Sequence, residues 1–418
     1  MKDSGVEWIG EIPAGWEVKR LGSLFRERKT TVSATDFLPL SVTKQGVLPQ
    51  LQTAAKSDSV DKRKLVLKGD FVINSRSDRK GSSGLASSDG SCSSIYIVLA
   101  PIGLRGGFAH QLLKSHGFQE EFYRWGSGIV DDLWSTRYEK MKMISVPVPP
   151  EEEMRAIELY LDQETSKIDL LISKKELLIE KLLERRQALI TQVVTKGLDP
   201  YAPMKDSRVE WLGEIPENWT IAPLWTKATF STGWTPSSSN ESYFGQGIPW
   251  ANISDLGPRF LRETSKTLSE LGVKDYGMVP AKKGSLLFSF KLSIGSVSFA
   301  DEDLYTNEAI AAFEESEKLS LRFGFYMLPL AVPENCSWNI YGARMLNETG
   351  IKQARLVLPS INEQEDVADF LDEKTTQIDK LIESTSASMK ILKERRETLI
   401  AQVVTGKLDV RGLVNGDS

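Results

Sequence analysis

Two stretches of the chain carry apolar residues on a seven-residue repeat. In the first, Leu161, Ile168, Leu182 and Leu189 fall on one series, with Lys175 as its polar step. Ile172, Ile179, Arg186 and Val193 fall on a second series. The later stretch repeats both: Leu371, Ile378, Leu392 and Leu399 with polar Thr385, then Ile382, Met389, Arg396 and Val403. Two series kept for about five heptads predict a coiled-coil seam rather than an ordinary core helix. Pro149, Pro150 and Pro359 stop a helix from running in upstream, and Gly197 and Gly406 close the two helices. A helix of ~45 residues would be ~65 Å long. The intervening regions read differently. "FLPLSV", "LVLKGDFVI" and "SSIYIVLA" in the first, and "GSLLFSF", "GSVSFA" and "AIAAFE" in the second, are short β-rich runs broken by Gly, Ser and Asp. Each region holds roughly 120–130 residues, enough for a core of its own.

The helical stretches belong to a larger duplication. "MKDSGVEWIGEIPAGWEVKRL" at 1–21 returns as "MKDSRVEWLGEIPENWTIAPL" at 204–224, with 13 of 21 positions identical at an offset of 203. Residues 161–199 return at 371–409, with 19 of 39 identical at an offset of 210. Between these repeats, residues 22–145 and 225–355 share almost no alignable run. The chain is therefore a tandem of repeated opening, variable region and repeated helix. The expected fold class is α+β: two mixed α/β domains (1–150 and 201–360) separated by two long antiparallel helices (151–200 and 361–410), related by a pseudo-twofold axis. The repeated Trp8, Trp16, Trp211 and Trp219 are expected to be core or interface anchors, since they lie in the constant part. The "ERR" strings at 184–186 and 394–396 are expected to brace the helix pair or touch a partner.

Composition narrows the chemistry. The chain has 418 residues with 52 Lys+Arg against 57 Asp+Glu, and only residues 1–150 are net basic, with 21 basic against 16 acidic residues. That balance neither requires nor excludes nucleic acid, so local loops must decide. Cys92 and Cys336 are far apart, and only His110 and His116 are available, which disfavours disulfide, zinc and His-based catalytic frameworks and leaves metal ligands expected to be none. No apolar run approaches ~18 residues and the N-terminus lacks a secretory apolar stretch, so a cytoplasmic protein is expected. The Asn/Asp-Pro-Pro-aromatic turn of amino-methyltransferases and the GxxxxGK[ST] loop are missing. Asp70 with Asp78, Arg79 and Lys80 is the nearest approach to a nuclease-like cluster, and it is weak. The chain is not expected to be an enzyme by itself.

The variable regions do contain basic and aromatic loops suited to DNA. Arg76, Arg79 and Lys80 follow an apolar strand in "INSRSDRKGSSG", where small neighbours let backbone approach phosphates while arginines reach base edges. Aligned on Gly69 and Gly284, Lys291 of "FSFKLSIGS" stands opposite Arg76. Other candidates are Thr43, Lys44 and Gln45, then Trp134, Thr136 and Arg137. In the second half they are Trp234, Thr235, Asn252, Ser293, Tyr341 and Arg344.

"VEWIGEIPAGW", a variable domain, a Pro-rich lead-in, "LDxxTxxID" and "ERRxxLIxQVVT" together resemble the specificity (S) subunit of type I restriction–modification systems. The resemblance spans the chain, and "GWTPSSSNESYFGQGIPWANISDL" (233–256) with "KKGSLLFSFKLSIGSV" (282–297) is similar to that family's target-recognition domains. The first variable domain lacks the Gly-x-Thr-Pro opening. The resemblance implies two target-recognition domains, each binding half of a bipartite double-stranded DNA target, with the helix pair setting their spacing. It implies two modification subunits that carry S-adenosylmethionine and methylate adenine N6, and a restriction subunit that uses ATP and Mg to cleave unmodified DNA. This chain would hold no cofactor and would serve phage defence as a methyltransferase-complex component. Leu161, Ile168, Leu182, Leu189, Leu371, Ile378, Leu392 and Leu399 are the residues expected at the partner-helix interface. The alternatives are a coiled-coil DNA-binding adaptor or regulator, and a divergent methyltransferase–nuclease fragment.

Overall fold

A computed structural model describes residues 1–50, 62–128, 134–338, 342 and 344–413. The chain divides into two compact units, one formed by Met1–Leu177 with Thr385–Ser418 and the other by Leu178–Ser384. Each unit therefore contains a piece of both long helices, Glu151–Lys196 and Ile361–Val404. The predicted helices are present and nearly as long as the periodicity required.

The first unit is built on an antiparallel four-stranded sheet. Its order is Ser83–Leu85, Phe71–Asn74, Tyr96–Pro101, Phe25–Glu27. Alternate strand residues face opposite sides. Phe71, Ile73, Ile97 and Leu99 pack with Phe108, Leu112, Phe118 and Phe122 from the helices Gly106–Lys114 and His116–Arg124. Val72 and Val98 join Leu40, Val42, Val47 and Val66 on the other side. The sheet is covered on both faces, which is why its central strand reads as a continuous apolar run. The run "LVLKGDFVI" proves to be two strands, Arg63–Val66 and Phe71–Asn74, separated by a turn at Gly69 with φ of 91°. Asp70, in that turn, accepts the amide of Leu67 and a two-pronged contact from Arg28 at 2.7 and 2.9 Å. It is only 2% exposed and has a structural use, not a metal-binding one.

The second unit repeats this plan with other residues. Its sheet runs Phe230–Thr232, Ile310–Phe313, Leu286–Ser289, Val297–Ala300, and Phe260–Leu261 adds in parallel at the edge. Numbering the four antiparallel strands along the chain gives the spatial order 3-2-4-1 in both units. Leu286, Phe288, Ala311 and Phe313 pack on Phe323, Met327 and Leu328, whereas Leu287, Ile310 and Ala312 face a smaller cluster with Ala251, Leu261 and Leu304. The same topology thus survives across regions with almost no shared sequence, because the apolar alternation is retained while its residues change.

The constant parts explain the repeat. In the first unit, buried Trp16 donates its indole N–H to Glu153 near the start of the first long helix, at 2.6 Å. Its second face and Pro13 press on Gly406, whose φ of 71° and missing side chain end the second helix there. In the second unit, Trp219 donates to Glu363 at 2.9 Å and, with Pro216, packs on Gly197 with φ of 79°. A Cβ on Gly406 would lie 2.3 Å from Pro13, so this close approach requires glycine.

Within each unit the two helices run antiparallel. Asp169 meets Arg396 at 2.9 Å in the first unit, and Arg186 meets Asp379 at 3.0 Å in the second. The third residue of each "ERR" thus braces the helix pair, as expected. Leu161, Ile168, Leu371 and Ile378 are buried in the seam or in the core of their own unit, and Leu182, Leu189, Leu392 and Leu399 are half-buried there. Their apolar surface is thus turned inward, within their own unit, as the seven-residue pattern requires. Among the described residues the exposed large apolar side chains are Leu159, Leu170, Leu171, Leu177, Leu178 and Leu183 on the first helix, and Ile361, Leu381 and Ile391 on the second.

Candidate nucleic-acid interface

In both sheets the strand that follows Gly69 or Gly284 ends, and a basic residue comes two positions later. Asn74 and Ser289 close these strands, and Arg76 and Lys291 begin the loops beyond them. The alignment of Arg76 with Lys291 is therefore also a topological equivalence.

In the first unit, Arg76 caps the short helical turn Ser77–Arg79 and lies 3.2 Å from Asp78, while Arg79 approaches the same carboxylate at 3.7 Å. Lys80 pairs with Glu120 and lies 5.9 Å from the centre of the Tyr123 ring. Trp134 accepts the Ser77 amide on its carbonyl, at 3.0 Å, so the two loops meet. Lys80 and Trp134 line a cleft of about 790 Å³ together with Glu7, Asp78, Glu120 and Glu121. The four carboxylates outnumber Lys80 and Arg124 in the lining and make this cleft a poor phosphate seat, whereas Arg79, 69% exposed, faces solvent. Thr136 is fully buried and its hydroxyl donates to the Phe122 carbonyl at 2.8 Å. It braces the loop instead of facing DNA, which corrects its expected place among base-contacting side chains. Arg137 is exposed at the start of the helix Tyr138–Met141. Thr43, Lys44 and Gln45 form the tip of the hairpin Leu40–Thr43 with Gly46–Pro49. The Thr43 hydroxyl is tied to Gly46, and Lys114 donates to the Lys44 carbonyl.

In the second unit three candidates, Trp234, Thr235 and Lys291, lie together. Trp234, 54% exposed, is fixed through its amide to Thr306, and the Trp250 indole donates to its carbonyl at 3.2 Å. Thr235 donates to Glu308, and Lys291 lies 4.0 Å from that same carboxylate. Burial opposes ionisation of Glu308, yet the Thr235 hydrogen bond and the Lys291 charge hold its carboxyl below the usual range. Ser293 is exposed, with its carbonyl taken by the Ser289 hydroxyl. Asn252 sits at the cap of the turn Ile253–Asp255, where its backbone amide donates to the Asp255 carboxylate at 2.8 Å and its backbone carbonyl accepts the Asp255 amide at 3.0 Å. Arg344 stacks 5.4 Å from the centre of the Trp338 ring, on a small hairpin where Trp338 is 65% exposed. Tyr341 lies outside the described residues.

Arg76, Arg79, Lys80 and Lys291 each stand beside a surface carboxylate. Such exposed pairs are worth only about 0–1 kcal/mol, so these cations can be exchanged to another anion at little cost. Sequence reasoning missed Trp338, the partner that orients Arg344, and Glu153 and Glu363, the acceptors of the repeated tryptophans. Glu153 and Glu363 share the offset of 210, so extending the repeat upstream would have found them. Among the described residues no group of three or more His, Cys, Asp and Glu is placed to hold a metal, and no helix is long and apolar enough to cross a membrane. Burial pushes the Cys92 thiol up to about 12, so it is a core residue without nucleophilic character.

Comparison with known proteins now bears on this geometry. Residues 216–388 match the family model described as the type I restriction modification DNA specificity domain. A type I restriction enzyme MjaX specificity subunit, proposed in Methanocaldococcus jannaschii, is 23% identical over 434 residues, covering 96% of each chain. A solved structure concerned with complex assembly and conformational transition of the type I R-M system covers 95% of this chain and 100% of its own, at TM-score 0.74 and 16% identity. The HsdS subunit from Thermoanaerobacter tengcongensis covers 95% and 98%, at TM-score 0.52 and 17% identity. At those identities the solved structures speak for the fold alone. The family model over the second variable region and the similarity along nearly the whole chain bear out the resemblance carried by the motifs: this chain is similar, over 96% of its length, to a specificity subunit of a type I restriction–modification system.

Proposed function

We propose that the chain is the DNA sequence-recognition subunit of a type I restriction–modification complex and is itself non-catalytic. In this reading residues 1–150 and 201–360 are target-recognition domains that each read one half of a bipartite duplex target. The helices within 151–200 and 361–410 set the unspecified gap between the halves. The observation that carries the reading is the shared 3-2-4-1 strand order, with Arg76 and Lys291 two residues beyond equivalent strands. A duplicated scaffold with variable surface loops is what two independent base-reading modules require, since base contacts specify and backbone contacts only position. Each bidentate base contact contributes about 1–3 kcal/mol of discrimination.

The duplicated constant parts fit two copies of one modification subunit, and a restriction subunit completes the assembly. S-adenosylmethionine, ATP and Mg are carried by those partners, and the methylated adenine leaves the stack to reach the partner's pocket. The complex works in the cytoplasm. Because the basic loop residues are few and the chain as a whole carries a net charge of -5, the chain alone should bind DNA weakly, and partner surfaces supply much of the phosphate contact. Single-molecule sequencing of DNA from cells expressing the chain with a cognate modification subunit tests the reading. The expected result is N6-methyladenine in a motif with two specified halves and a fixed gap. Tight, selective binding by the chain alone, without any methylation motif in the assembled complex, would favour the adaptor alternative.

A further inference from the structure

Leu292 sits between Lys291 and Ser293 in the loop that joins Leu286–Ser289 to Val297–Ala300. It is 91% exposed, the most exposed large aliphatic residue among the described residues. Its φ of 58° lies in the left-handed region that bulky L-residues avoid, and Arg208 is the only other non-glycine residue described there. Nothing in the chain's own packing repays that strain, because a side chain this exposed contributes no burial. The loop is nevertheless held firmly. The Ser289 hydroxyl donates to the Ser293 carbonyl, the Ile294 amide to the Leu292 carbonyl at 3.0 Å, and the Gly295 amide to the Ser289 carbonyl at 3.0 Å. The Ser296 amide donates to the Ser289 hydroxyl at 3.2 Å. An apolar residue kept in a strained conformation on a braced loop is a functional signature when no intramolecular contact explains it.

The surroundings indicate what it meets. Lys291, 49% exposed, stands next to it and is linked through Glu308 to Thr235, adjacent to exposed Trp234. A cation, a hydroxyl and one projecting aliphatic group suit an edge of duplex DNA in the major groove. The one apolar group displayed there by the bases is the C5 methyl of thymine. We propose that Leu292 reads a thymine methyl in the half-site of the second unit, an inference that rests on the DNA-reading role given above. Lys291 supplies charge and hydrogen bonding beside it, and the braced backbone fixes the distance at which the methyl is felt.

The test uses the full chain assembled with its modification subunits, and duplexes carrying the methylation motif with each thymine singly replaced by deoxyuridine. The wild type should lose about fourfold in affinity at one position, the size expected for one buried methyl group. Leu292→Ala and Leu292→Gly should abolish that one sensitivity and leave the response at every other thymine intact. Leu292→Gly should also hold or raise the thermal midpoint, since glycine adopts φ of 58° freely, so lost selectivity will not be lost folding. Identical deoxyuridine profiles in wild type and variants would overturn the proposal while leaving the DNA-reading role standing. So would variants that keep the wild-type thermal midpoint but fail to assemble with the modification subunits, which would make Leu292 a protein contact. A wild-type complex with no sequence-selective binding at all would overturn the underlying reading as well.

Discussion

The indole–carboxylate bond that ties each repeated opening to a long helix should be measurable as a coupling energy. In the second unit Trp219 is fully buried and donates to Glu363 at 2.9 Å. A hydrogen bond to a charged acceptor contributes about 1.5–3 kcal/mol. Glu363 is only half-buried, so water recovers part of the loss, leaving an expected coupling of about 1–2 kcal/mol. Trp219→Phe removes the donor while keeping most of the ring volume. Glu363→Ala removes the acceptor and also a favourable first-turn charge worth about 0.3–1 kcal/mol, which the double-mutant cycle cancels. Native-state hydrogen exchange of helix amides is the suitable assay, because a chain of two units need not unfold in one step. The equivalent cycle on Trp16 and Glu153 should give a smaller coupling. Although that bond is 2.6 Å, Arg411 also approaches Glu153 at 3.4 Å and remains after the tryptophan is changed. A coupling at Trp219 within about 0.3 kcal/mol of zero would refute the role assigned to the repeated tryptophans.

Three further outcomes are expected. Arg76→Ala or Lys291→Ala should weaken selective binding by the assembled complex about tenfold with unchanged circular dichroism, each at one half-site; an equal loss of helical signal would remove the direct DNA role. His110 is held neutral, its pKa lowered to about 4 by burial first and by the charges of Lys114 and Arg396, and its Nδ1 accepts the Leu85 amide at 3.3 Å. The unfolded chain takes up that proton near pH 6.5 and the folded unit does not, so stability is whole above 6.5 and declines toward pH 4. The decline amounts to about 3 kcal/mol; a flat urea midpoint over that window in wild type, or an equal slope in His110→Gln, would contradict it. Inserting four residues after Leu177 and four before Thr385 lengthens both helices by about 6 Å. The methylation motif should then show a changed gap with unchanged halves; an unchanged gap would sink the ruler role of the helices.

What was legible in the sequence followed from period and duplication. The heptads at Leu161 and Leu371 announced both long helices, and the offset of 203 announced that Trp16 and Trp219 share one environment. Both are local signals that tertiary context did not override. The paired carboxylates were not legible. Asp78 is adjacent to Arg79, yet Glu120 beside Lys80 and Glu308 beside Lys291 are distant in sequence and come together only through the sheet topology. Thr136 reads as a polar loop residue beside Trp134 and Arg137, and only the fold reveals its burial against Phe122. Leu292 was passed over for the opposite reason. An aliphatic residue next to a strand looks like core, and nothing short of its exposure and backbone conformation marks it otherwise.

The central claim is that two variable modules of one topology read two halves of one target independently. The most direct test is to exchange residues 225–355 for the corresponding variable region of a relative with a different target, then to map methylation by the assembled complex. The account predicts that one half of the motif changes completely while the other half and the gap are retained. A motif in which both halves change, or in which neither does, would contradict it.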